Sequence, residues 1–124
     1  MQSFVAATAN TVTADLVARA DGTPITVGTV AAYLRALSGA NAGKWFRSAD
    51  SSWQAGESSA GAMSHVADGH WTCDIAAAAW ITGVRYLLYA KESGDLHIPV
   101  SEEVQERNPS GITVEGVSTE VEGS

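Results

Sequence analysis

The sequence predicts an all-β fold, a two-sheet antiparallel β-sandwich of about seven strands with extended termini. Three observations predict it. Apolar residues alternate with polar or small ones in short runs; turn pairs such as Asp21-Gly22, Ser38-Gly39, Asp68-Gly69 and Ser93-Gly94 punctuate them; and all four tryptophans fall between Lys44 and Tyr89. The chain has 124 residues, enough for one domain that buries about two-thirds of its unfolded surface.

Residues Met1 to Asn10 are small and apolar with Phe4 the one bulky group, and read as an N-terminal arm or edge strand. From Thr11 the run TVTADLVARADG sets Val12, Ala14, Leu16 and Ala18 on one face and Thr13, Asp15 and Arg19 on the other, a half-buried strand closed by Asp21-Gly22. Pro24 lacks an N–H, so Thr23 to Ile25 is read as loop or edge. The next run places Val30, Ala32, Leu34 and Ala36 opposite Ala31, Tyr33, Arg35 and Leu37. Helix competes there on propensity, but the β-branched lead-in and the early Ser38-Gly39 stop favour strand.

Trp45 and Trp53 are equidistant from Ala49, so a tight hairpin through SADSS would put both indoles on one sheet face. Gln54 to Ala62 is the most loop-like internal stretch, rich in Gly and Ser. Met63 to Val66 and His70 to Ile75 flank the Asp68-Gly69 turn, with His65 expected opposite Trp71 or Thr72. Ala76 to Ala79 has room for a short helical turn. VRYLLYAK then reads as a strand buried on both faces, and Pro99 marks DLHIPV as a sheet edge. The expected core is Leu16, Leu34, Trp45, Trp53, Trp71, Trp80, Tyr86 and Leu88. Residues 11–100 form the sandwich in this reading, and 101–124 an acidic C-terminal extension, linker-like over SEEVQERNPSG.

Charge is concentrated in that extension. Residues 1–100 hold eight acids against six bases, whereas 101–124 hold six acids against Arg107 alone, giving most of the net −7. Such a balance repels phosphate backbones, so no direct nucleic-acid partner is expected. No apolar run approaches the ~20 residues of a membrane span, and the opening MQSFVAATANT has neither a basic nor a continuous apolar signal region, so no signal peptide and no membrane are expected. One cysteine, Cys73, agrees with a reducing compartment.

Chemistry is hard to place in this chain. His65, His70 and His97 with Cys73 lack the close ligand spacing of a structural zinc site, so ordinary surface or rim histidines are expected and no metal. Cys73 neighbours Asp74, which disfavours a thiolate nucleophile. Asp15, Asp50 and Asp74 stand singly, and no glycine-rich phosphate loop leads into a helix. No catalytic residue, cofactor or enzyme activity is therefore expected. Two binding features remain: an aromatic hairpin of Trp45, Phe46 and Trp53 that would stack on sugars if exposed, and Phe4, Ile112, Val114, Val117 and Val121 as partner contacts in the termini.

The order of short motifs resembles the Ig-like modules of tailed-bacteriophage virion proteins of baseplate, fibre-attachment and head-decoration type. It is carried by the Val12 to Gly22 strand with its D-G turn, AYLR (Ala32 to Arg35), W…SSW (Lys44 to Trp53), M-x-H-x-x-D-G-x-W (Met63 to Trp71), W-x-x-G-x-x-Y (Trp80 to Tyr86) and YAK-x-S-G-D-L-H-I-P-V (Tyr89 to Val100). It covers about residues 10–100. The resemblance implies a non-enzymatic structural protein of the virion, assembled in the host cytoplasm. It would bind other virion proteins through its termini in several symmetric copies or as a homo-oligomer. With no fibre or coiled coil attached to the module, docking on head, neck or tail is the expectation. The rivals are a carbohydrate-binding module using the Trp45/Trp53 hairpin and a host-surface adhesion domain.

Overall fold

The computed structural model describes residues 2–107, and the expected contacts Ile112, Val114, Val117 and Val121 lie outside them. Ten strands form two sheets: β1 (Gln2–Phe4), β2 (Asn10–Asp15), β3 (Val30–Ala36), β4 (Trp45–Arg47), β5 (Ser52–Gln54), β6 (Gly61–Ala62), β7 (Ser64–Ala67), β8 (His70–Ile75), β9 (Tyr86–Glu92) and β10 (Ser101–Glu106). The larger sheet runs β1-β10-β9-β3-β4-β5 with β6 also on β3; the smaller runs β2-β8-β7. All pairings are antiparallel except β1 with β10, which is parallel.

This order is that of a variable-type immunoglobulin sandwich: β10, β9 and β3 occupy the places of strands G, F and C, β4 and β5 those of the two added strands, and β2, β8 and β7 those of B, E and D. A tyrosine corner accompanies it. Tyr86, at the start of β9, donates its hydroxyl to Ala79 O at 2.7 Å and accepts Ile81 N–H at 2.9 Å, which fixes the chain between β8 and β9 around the 3₁₀ turn Ala77–Ala79. Two residues on, where an antibody domain carries a cysteine, stands Leu88, 3% exposed. The sandwich is therefore clamped by packing rather than by a disulfide.

Strand alternation decides which side chains meet. In β3, Val30, Ala32, Leu34 and Ala36 are all buried while Ala31, Tyr33 and Arg35 are half-buried on the other face. β9 alternates likewise, burying Tyr86, Leu88 and Ala90. The expectation that β9 is buried on both faces is corrected: its Leu87, Tyr89 and Lys91 side lies on the outer face of the larger sheet, only partly covered. Leu16, Leu34, Trp71, Trp80, Tyr86 and Leu88 belong to the core as expected. Each fully buried aliphatic side chain contributes roughly 1.5–3 kcal/mol relative to exposure.

The Trp45/Trp53 hairpin has a different register from the expected one. Arg47 faces Ser52 across the four-residue loop Ser48 to Ser51, so Phe46 lies opposite Trp53, and Trp45 opposite Gln54. A one-residue slip reverses the faces. Trp53 turns inward, edge-on to Phe46 at 5.4 Å and stacked with Tyr86 at 6.0 Å, whereas Trp45 stands on the outer face and leaves the core set. The aromatic interior is completed by Phe4, stacked on Trp80 at 5.0 Å and edge-on to Tyr86 at 5.3 Å.

Phe4 is thus corrected from partner contact to core, with no exposed surface. The cause is β10: Ser101–Glu106, read as linker, is a strand held between β9 and β1, and Val104 beneath it is fully buried. Gly61 and Ala62, inside the expected loop, pair with β3 before the chain crosses to β8 as β7. The Asp68-Gly69 turn forms with both residues at positive φ, 51° and 83°, and pairs His65 with Trp71. A side chain at residue 69 would meet Leu16 O at 2.7 Å, so only glycine suits both the turn and the packing.

Candidate functional site

The outer face of the larger sheet carries an aromatic array that alternation builds from distant parts of the chain. Tyr33 and Tyr89 are direct cross-strand partners on β3 and β9, and their rings stack with centroids 5.2 Å apart and planes 6° from parallel. Trp45 Nε1 donates to the Tyr89 hydroxyl at 2.7 Å, and the Arg35 guanidinium lies 4.8 Å from the Trp45 ring centroid.

Glu57, from the segment after β5, reaches over this face. The Tyr89 hydroxyl donates to its carboxylate, and Lys91 Nζ donates to both oxygens at 2.7 and 2.9 Å. The Lys91 ammonium and then the Tyr89 hydroxyl hold the Glu57 carboxyl below its ordinary range. Burial, followed by the Glu57 bond, pushes the Tyr89 phenol up to about 12.

Beside the tyrosine pair a groove of about 720 Å³ opens toward the end where the β2–β3 and β9–β10 connections meet. That size falls in the range of small-molecule sites. It exists because β9 continues to Glu92 while its pairing with β10 stops at Tyr89 and Ser101. The chain around Pro99 diverges there toward the segment that follows β2, where His97 bridges to Ala18 and Ile98 N–H donates to Val17 O at 3.0 Å. Tyr33 and Tyr89 line one part of the groove and Pro99 and Val100 another; Ala31, on the same face as Tyr33, adds little bulk.

The ionic groups around the groove are already engaged. Lys91 is paired with Glu57; Asp95 with Arg19, at 3.3 Å; and Glu92 accepts Leu96 N–H at 3.2 Å. Backbone N–H groups of Gly94 and Leu96 keep the Glu92 carboxyl below its ordinary range. Neutral polar groups are left: the hydroxyls of Tyr33, Thr29, Ser93 and Ser101 make no side-chain hydrogen bond among the described residues.

His97 also lines the groove and is corrected from rim to interior, at 3% exposure. Its Nδ1 is buried without a hydrogen-bond partner among the described residues. Such an atom costs about 1–3 kcal/mol unless something satisfies it. The other histidines are engaged elsewhere: His65 Nε2 accepts Gly69 N–H at 3.0 Å, and His70 Nδ1 lies 2.7 Å from Asp15 Oδ1. Cys73 is a buried free thiol whose pKa burial, and then the Asp74 charge, raises. Asp50 pairs with Arg47, and Asp74 accepts the Thr11 hydroxyl. No group of three or more His, Cys, Asp or Glu among the described residues is placed to hold a metal ion, and no helix among them is long and apolar enough to cross a membrane.

The expected sugar platform of Trp45, Phe46 and Trp53 does not assemble, since Phe46 is fully buried and Trp53 packs on the core. The aromatic surface that does assemble uses Tyr33, which the sequence set on the strand face opposite Val30 and Leu34, and Tyr89, from a strand read as buried on both faces. Comparison of the chain with protein-family models, with curated proteins and with solved structures finds no match.

Proposed function

We propose that this chain is a non-enzymatic structural protein of a tailed-phage virion, an Ig-like module docked on head, neck or tail and bound to neighbouring virion proteins. The motif order from Val12 to Val100 motivates the reading, and one observation carries the means of attachment. The strand nearest the N-terminus, β1, forms one edge of the larger sheet, and its parallel partner β10 is the first part of the acidic extension, which runs on past Arg107. One edge therefore offers both a strand side unpaired among the described residues and the start of a charged segment, the combination used in strand-addition contacts. With Phe4 buried, the N-terminal contribution is the β1 backbone edge. The contacts proposed for the extension remain Ile112, Val114, Val117 and Val121.

The test is particle incorporation of a chain ending at Arg107 against the full chain. The cut must follow Arg107, because cutting at Ser101 would remove β10 from within the sheet. A soluble, folded truncation that no longer enters particles is the expected result. Incorporation at the full-chain level would refute attachment through the extension.

A further inference from the structure

The groove beside Tyr33 and Tyr89 is not used by the attachment edge, and three of its features specify what it would take. Its lining Lys91 is paired with Glu57 and its Asp95 with Arg19, while the Glu92 carboxylate is held by backbone N–H groups, so an anion finds no unmatched cation there among the described residues. Four hydroxyls, those of Tyr33, Thr29, Ser93 and Ser101, make no side-chain hydrogen bond among the described residues, and the unpartnered Nδ1 of His97 lies buried behind them. Its apolar surfaces are aromatic on one part and Pro99 with Val100 on another.

From these we infer that the groove is a binding site for a neutral saccharide, with one or two pyranose rings held between the tyrosine pair and the Pro99–Val100 segment. A sugar ring has an apolar C–H face to lay on an aromatic surface and a rim of hydroxyls that both donate and accept, which suits a site of neutral hydroxyls. An extended peptide is less well matched. β9 has only Ala90, Lys91 and Glu92 beyond its pairing with β10, a short edge for an added strand. The inference rests on the groove alone and stands or falls separately from attachment through the extension.

The experiment is a chemical-shift titration of the full, isotopically labelled chain with glucose, galactose, mannose, N-acetylglucosamine and their β-linked disaccharides. Sialic acid, glucosamine and a short extended peptide are run alongside. Saturable shifts at Ala31, Tyr33, Tyr89 and His97 with at least one neutral sugar are expected. Ala31→Leu, which adds bulk on the face beside Tyr33, should weaken them at least about tenfold. Tyr33→Phe removes one free hydroxyl at little cost to folding and should weaken the same sugar to a smaller extent. No groove shifts with any neutral sugar, stronger binding of a charged sugar or of the peptide, or binding that survives both substitutions would each overturn the inference.

Discussion

The carboxamide of Gln2 holds Thr13 by both of its backbone groups: Thr13 N–H donates to Gln2 Oε1 at 3.0 Å, and Gln2 Nε2 donates to Thr13 O at 2.8 Å. Nε2 also donates to Glu102 Oε1 at 2.8 Å. Thr13 lies in β2, which among the described residues pairs with β8 alone, so the side chain from β1 supplies on the open side what a neighbouring strand would. It thereby ties the edge of the larger sheet to the smaller one. Gln2→Ala should lower stability by about 1–2 kcal/mol. A shift in the urea midpoint at unchanged slope checks this, and an unmoved midpoint would show that the clasp contributes nothing.

Tyr86 and Tyr33 provide a matched pair of hydroxyl deletions. Tyr86→Phe strands Ala79 O and Ile81 N–H beside a buried ring and should cost about 1–3 kcal/mol. The Tyr33 hydroxyl has no partner among the described residues, so Tyr33→Phe should stay within about 0.5 kcal/mol. Thermal unfolding of both variants reads the contrast; equal losses would mean the corner is not what holds the β8–β9 connection.

Tyr89 sets an alkaline dependence. Its ordinary phenol pKa of 10.0 applies to the unfolded chain, while the folded value is about 12. Between those values the folded state holds more protons than the unfolded one, so stability is complete below pH 10 and falls as pH rises toward 12. Tyr89→Phe should flatten that decline relative to the parent, whatever it does to stability at neutral pH. Urea midpoints across the alkaline range test the sign, and a parent whose stability rose over that interval would contradict it.

His97 places the proposed ligand and stability in opposition. Its unpartnered Nδ1 is a cost carried by the free protein. His97→Leu should therefore raise the melting temperature while weakening any saccharide that uses that side of the groove. A lowered melting temperature would show that the imidazole is stabilising where it stands.

Much of the sandwich is legible because alternation is local. In β3 the sequence separates Val30, Ala32, Leu34 and Ala36 from Ala31, Tyr33 and Arg35, and burial divides them the same way. The Asp68-Gly69 turn fixes its own register through two positive φ angles. Illegible features depend on neighbours supplied from far away. SEEVQE carries one apolar residue, Val104, and becomes a strand only because β9 and β1 pair with it on either side. The tryptophan hairpin is symmetric about Ala49 in sequence but closes through Ser48 to Ser51, and that one-residue shift sends Trp53 inward and Trp45 outward. The groove is harder still to foresee, since it arises where β10 stops pairing before β9 ends.

The parallel pairing of β1 with β10 brings Gln2 opposite Val104 and Phe4 opposite Glu106. During synthesis β1 must therefore wait for this partner until β10 has been made. Phe4 spends that interval without the Trp80 and Tyr86 surroundings it has in the finished sandwich. Such distant closure places the fold among the slower two-state topologies, at about milliseconds to seconds. Whatever meets the chain co-translationally meets β1 without this partner before it meets the completed edge.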